Sequence, residues 1–177
     1  LDFQHQFSIF CPDVLPWGSY HWGRFGSGGH AQARHCFVDD WRLEHLWRRF
    51  GQGLAKALDA GVITAPDFTI DSHFPLELVQ YQVWRSRVLA HYWQEYGVPF
   101  VVPVLQWGCP ASFPLCARGI RPGSVVAVRG PQRGTECAWL DGARFMQSTL
   151  KPSLVLHFGN MLELWDRAVY LPLRRTT

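Results

Sequence analysis

From residue 35 onward, short runs of β-branched and aliphatic residues alternate with longer stretches of helical period, and few folds accept that alternation. His35-Cys-Phe-Val-Asp-Asp40 reads as a strand closed by two acids. Between Trp41 and Ala60 apolar residues recur near helical spacing, with Gly51 and Gly53 as candidate breaks. Gly61-Val-Ile-Thr-Ala65 reads as a second strand, ended by Pro66-Asp67. Pro75 opens a helix that runs to about Tyr96, with Tyr81, Trp84, Val88, Tyr92 and Tyr96 on one stripe. Val98 to Leu105 is the third strand, and Pro99 and Pro103 assign it to an edge, a bulge or a barrel rim. Ser124 to Val128 and Ser153 to His157 are the fourth and fifth, separated by a helix from Cys137 to Leu150. A short helix over 162–167 and a last strand, Ala168 to Leu171, complete the pattern.

Strands of this buried type, each followed by a helix, imply an α/β domain with a mainly parallel sheet of five or six strands. A partial α/β barrel is the alternative, since 177 residues are too few for a full eight-fold barrel. Residues 1–34 read as an irregular arm and 35–177 as the α/β domain. The arm holds the glycine-rich stretch Gly23 to Gly29, which lacks the preceding strand and the Gly-Lys-Ser/Thr of a phosphate loop.

Composition narrows the functional classes. With 47% hydrophobic residues and nine Trp, the chain can bury a large core, which excludes wholesale disorder. No apolar run approaches the roughly 20 residues that span a bilayer, and no signal-peptide pattern opens the chain. Leu1 in place of Met suggests a processed or trimmed product. Cys11, Cys36, Cys109, Cys116 and Cys137 form no Cys-x-x-Cys pair, which argues against a disulfide framework and a zinc ribbon and for a cytoplasmic location. Cys36 and Cys137 lie in apolar sequence and read as buried thiols.

A net charge of +3 does not by itself indicate nucleic acid, but its distribution is uneven. From Tyr96 through Thr135 there is no Asp or Glu, while Arg118, Arg121, Arg129 and Arg133 all fall there. An arginine segment without compensating acids is a candidate anion site.

Parallel sheets bind ligands beyond the carboxyl ends of their strands. Those ends carry Asp39 and Asp40, then Asp67 with Asp71 beyond it, then Gln106 and Trp107, then Arg129, then His157 and Asn160. Asp39, Asp40 and Asp67 are the candidate catalytic residues and the candidate ligands of one Mg²⁺ or Mn²⁺ ion. Arg129 and Arg133 are candidate phosphate ligands, Trp107 a stacking surface and Asn160 a further substrate contact. Blander roles are open to the acids: Asp40 as a helix N-cap, Asp67 in an Asx-turn. His91 and His157 lack a nucleophile partner. Arg85 and Arg87, two apart on a helix, cannot form one clamp.

The run Phe37-Val-Asp-Asp-Trp-Arg-Leu-Glu-His-Leu-Trp47 resembles the opening of an uncharacterised family, a domain of unknown function found in bacteria, phages and other mobile elements, plasmids included. The likeness continues through Val62-Ile-Thr-Ala-Pro-Asp-Phe-Thr69, Gln82-Val-Trp-Arg-Ser-Arg87, Val102-Pro-Val-Leu-Gln-Trp107 and Gly123-Ser-Val-Val-Ala127, and covers about residues 35–160. The resemblance implies nucleic-acid transactions rather than a settled activity. Where members commonly show Ser-Trp, this chain has Gln106-Trp107, and around Arg129 it departs again, so a phosphate role for Arg129 is peculiar to this branch. Three functional classes follow: a mobile-element protein acting on nucleic acid or a nucleotide, a non-catalytic module or inhibitor with a protein partner, and a carboxylate-dependent hydrolase of glycosides or small ligands.

Overall fold

The computed structural model describes residues 7–27 and 31–173. Gly28 and Gly29 of the glycine-rich stretch lie outside the described residues, as does 1–6 of the expected arm. Eight strands are found among the described residues: β1 (Trp22–Arg24), β2 (Ala33–His35), β3 (Val62–Thr64), β4 (Phe100–Val102), β5 (Val104–Leu105), β6 (Val125–Arg129), β7 (Leu154–Phe158) and β8 (Ala168–Leu171). The helices are α1 (Asp40–Arg48), α2 (Phe50–Ala60), α3 (Leu76–Glu95), α4 (Phe113–Ala117) and α5 (Glu136–Leu150). The strands form two four-stranded sheets, ordered β1-β2-β3-β4 and β5-β6-β7-β8, and each neighbouring pair is parallel. Chain order is therefore spatial order, and the carboxyl ends of all strands lie at one end of the molecule.

The α/β parallel architecture matches the sequence reading; its expected five or six strands in one sheet do not. Pro103 is one reason. It has no N–H to give a ladder, and it splits the run 98–105 into β4, which pairs with β3, and β5, which pairs with β6. The proline-bearing segment is thus the seam between the sheets. The second reason lies in the expected arm. Trp22-Gly-Arg24 pairs with Ala33-Arg-His35, and Ile9, Cys11, Trp17 and Phe25 are buried, so 7–27 packs into the layer. Cys11 is tied there by its N–H to Ser124 Oγ at 2.8 Å and by its carbonyl, which accepts from Val125 N at 2.8 Å.

Other local differences have local causes. The helix break falls at Arg49 (φ −138°, ψ 70°), not at a glycine. Gly53 serves packing instead, since a Cβ there would sit 2.9 Å from Leu46 Cδ2. No helix forms over 162–167, where the chain runs irregularly into β8, and the short α4 between Pro110 and Arg118 is additional.

Both faces of the sheets are covered. Val125, Ala127, Leu154, Leu156 and Phe158 join one core with Ile63 and Val101, while Val126, Val128 and Val155 join another with Val79, Ala143 and Met146 of the helices. Phe158 reaches the opposite sheet: its ring lies 5.3 Å from Trp22, 5.3 Å from His35 and 5.0 Å from Phe37. The two sheets thus face one another across an aromatic cluster.

The long helix α3 settles its two arginines away from solvent. Arg85 donates to Glu44 Oε1 at 2.6 Å and lies 3.8 Å over the Phe68 ring. Arg87, 2% exposed, donates to the carbonyls of Arg118 (3.0 Å) and Cys116 (3.1 Å). Burial lowers Arg87 to about 10, which still leaves it charged at neutral pH. No helix among the described residues is long and apolar enough to cross a membrane.

Candidate functional site at the carboxyl ends of the strands

The loops that follow β3, β5 and β6 enclose a cavity of about 430 Å³, completed by the start of α5. Asp67, Trp107 and Arg129, selected from strand ends in the sequence, all line it, with Asp71, Gln106 and Trp139. Two glycines let the loops meet. A Cβ on Gly108 would lie 2.7 Å from the Asp71 carbonyl oxygen, and one on Gly130 would lie 2.0 Å from that of Asn160.

Asp67 is partly buried, and its carboxyl group has no hydrogen-bond partner among the described residues, so no Asx-turn forms. Burial pushes its pKa up to about 7; the Asp40 charge adds to the rise, and the Arg129 guanidinium opposes it. Arg129 is exposed, and among the described residues nothing pairs with its guanidinium. Its carbonyl accepts from Trp139 Nε1 at 3.1 Å.

Trp107 packs against Trp139 at 5.2 Å and lies directly on α5. A Cβ on Gly142 would fall 2.2 Å from Trp107 Nε1. Alanine at Gly142 gains about 1 kcal/mol of helix propensity, but the rigid ring must leave its seat, an overpacking cost of about 1–3 kcal/mol. The expected result is a net loss of stability in urea unfolding, together with a shifted Trp emission spectrum. A stabilised Gly142→Ala would show that the ring has room.

His157 holds the far wall. Trp165 Nε1 can only donate, so His157 Nδ1 accepts it (3.2 Å) and Nε2 carries the proton that it donates to the Asn160 carbonyl (2.8 Å). Burial lowers the His157 pKa, consistent with this neutral tautomer. Asn160 in turn donates Nδ2 to the Pro131 carbonyl at 2.8 Å. Asn160, expected as a substrate contact, therefore fastens the loop that carries Arg129.

The remaining expected residues spread out. Asp39 is exposed, 3.9 Å from Arg42. Asp40 is the first residue of α1, not its N-cap, and its Oδ1 accepts from Thr69 N (3.0 Å) and Oγ1 (2.9 Å). Arg133 is exposed on the loop and does not line the cavity. Asp71 is engaged by His73, whose N–H and Nδ1 each lie 2.8 Å from Oδ1 and which lowers its pKa. Among the described residues no three His, Cys, Asp or Glu side chains stand where they could hold one ion. All five cysteines are free; Cys36 is buried as expected, whereas Cys137 is exposed.

Sequence reasoning missed Trp139, Thr69 and His35. His35 was read as the first residue of a strand, but it is the last residue of β2. The Cys36 N–H turns to Thr64 Oγ1 at 2.8 Å, which ends the ladder there.

No solved structure matches the chain. The Gene 1 protein of Mycobacterium phage L5 is 31% identical over 135 residues, 73% of this chain and 58% of that protein. The Gene 1 protein of Mycobacterium phage D29 is 33% identical over 141 residues, 76% of this chain and 50% of that protein. The chain thus spans about half the length of the curated relatives it matches. Residues 9–172 match DUF4417, including both strands of the expected arm. The chain belongs to the DUF4417 family, a domain of unknown function.

Proposed function

We propose that the cavity binds a nucleotide, free or within a nucleic acid, through its phosphate, and that Asp67 is the proton-transfer group for chemistry there. The observation that carries this reading is that Asp67, Arg129 and Trp107, from three different strand ends, line one cavity. A guanidinium without an internal partner suits bidentate contact with phosphate. The Trp107–Trp139 pair offers aromatic faces to a base. A carboxyl group near 7 both accepts and returns a proton at neutral pH. The phage origin of the relatives fits such a ligand.

The donor set does not favour a resident Mg²⁺ or Mn²⁺. Asp39 lies beside Arg42, Thr69 occupies Asp40, and the Asp67 carboxyl feels the positive charge of Arg129. Added Mg²⁺ or Mn²⁺ should therefore leave the melting temperature unchanged.

Titration with nucleoside monophosphates and short single-stranded oligonucleotides, followed by Trp fluorescence, tests the reading. Saturable quenching is expected, lost in Trp107→Phe and roughly tenfold weaker in Arg129→Ala, about 1.4 kcal/mol of binding. Absence of saturable binding, or an unchanged affinity in Arg129→Ala, would overturn it.

One observation favours a protein-interaction module as the second reading. Tyr81, Trp84, Trp47, Phe50, Tyr92 and Tyr96 form a chain of ring contacts at 4.4–6.0 Å across α1, α2 and α3, with Tyr81 and Tyr96 exposed. That reading requires Tyr96→Ala to abolish a partner complex that Arg129→Ala leaves intact.

A further inference from the structure

The carboxyl ends of β1, β2 and β6 carry a second set of groups on the interior side of the sheets. Arg24 and His35 are the last residues of β1 and β2 and are register partners, so their side chains leave the sheet on one face. That face is the interior one, because Trp22, two residues before Arg24, and His35 both pack on Phe158. Phe158 is in turn the register partner of Arg129. His35 is only 5% exposed, yet among the described residues its Nδ1 has no hydrogen-bond partner. A buried ring nitrogen left unpaired calls for an explanation, and a ligand atom is one.

We propose that Arg129 and His35 form an inner oxyanion subsite that takes the phosphoryl group, and that its occupation draws a proton onto His35. This rests on the phosphate reading above and names the groups that receive the phosphate. The charged groups that bear on the imidazole are Arg24 from β1 and Arg129 from β6; Phe37 and Phe158 supply apolar cover. Burial and the two arginines hold His35 down to about 4, so the empty subsite contains a neutral ring. A dianion between the ring and Arg129 reverses the sign of the local field. The imidazolium then donates to the oxyanion as the guanidinium does, and the proton comes from solvent.

Sulfate is the probe, because it is a dianion that carries no proton of its own near neutrality. Calorimetric titration of the 177-residue chain at about pH 5.5, in two buffers of different ionisation enthalpy, should show sulfate binding coupled to uptake of roughly half a proton or more. His35→Asn should lose the uptake and bind sulfate roughly tenfold more weakly. His35→Gln serves if that variant fails to fold, and Arg129→Ala, at an exposed position, should lose sulfate binding with the fold retained. Sulfate binding without proton uptake, unchanged affinity in the folded His35 variant, or no saturable sulfate binding would each overturn the subsite. The two readings fail separately. Sulfate bound with proton uptake, but nucleoside monophosphates bound no more tightly than sulfate, leaves the subsite and removes the nucleotide. Nucleotides bound with dependence on Arg129 but none on His35 do the reverse.

Discussion

Asp67→Asn should melt at a higher temperature than the wild type at pH 8, by about 5 °C, and gain almost nothing at pH 4. The folded state raises the pKa of this carboxyl group from an ordinary 3.8 to about 7. A raised acid favours the folded state fully only below 3.8, and that contribution disappears as pH rises through 7. Above pH 7 the wild type holds an ionised carboxylate in a place that resists it. The full shift corresponds to about 4 kcal/mol, which solvent reaching the partly exposed group reduces to about 2. Asparagine has no charge to desolvate and keeps the shape. Thermal melts of both proteins at pH 4 and pH 8 decide the matter. An equal gain at both values would assign the effect to packing, and a loss at pH 8 would mean that Arg129 stabilises the carboxylate more than burial opposes it. Stability gained by removing one acid from a cavity is also what a residue retained for its chemistry would show.

Gly130→Ala should have the largest structural effect of any single change at the mouth. Its Cβ would fall 2.0 Å from the Asn160 carbonyl oxygen and 2.7 Å from His157 Nε2. The first of these is backbone, which cannot rotate away. The loop must move, and the Asn160–Pro131 and His157–Asn160 hydrogen bonds are then stretched or lost. Overpacking and one or two lost hydrogen bonds together cost about 3 kcal/mol. Because Arg129 is the adjacent residue, nucleotide affinity should fall roughly tenfold in whatever fraction remains folded. Gly51→Ala is the control: nothing lies within 4 Å of its Cβ, and in α2 it should gain up to about 1 kcal/mol. Urea unfolding of the three proteins, with the same fluorescence titration, compares them. A Gly130→Ala protein as stable and as tight-binding as the wild type would show that the loop yields freely.

Much of the wall was legible because most strands from β3 onward are runs rich in Val, Ile and Leu. Parallel strands expose ligand-binding residues at their carboxyl ends, so Asp67, Trp107 and Arg129 could be selected without knowing which strands pair. The first two strands were not legible. Trp22-Gly-Arg24 has no alternation to read, and its ladder depends on β2 and on the Phe158 ring more than 130 residues later. Asp39 and Asp40 show a different limit. Neighbours in sequence at a helix start point in different directions, and only the tertiary path of 67–74 reveals that Thr69 takes Asp40. His35 escaped notice because its ladder ends through a side chain, Thr64, that belongs to another strand.

The sequential parallel order divides the inheritance of the chain between its two ends. At the end away from the cavity, Gly61 and Gly97 at positive φ close tight turns into β3 and β4, and Lys151 does the same before β7. Those turns fix the path of the wall and leave little room for change. At the other end the loops after β3, β5 and β6 carry the cavity, and those after β3 and β5 also bury Phe68, Phe113 and Ile120 in the core. On the proposed reading, two members about a third identical would share a ligand only where the counterparts of His35, Asp67 and Arg129 occur together.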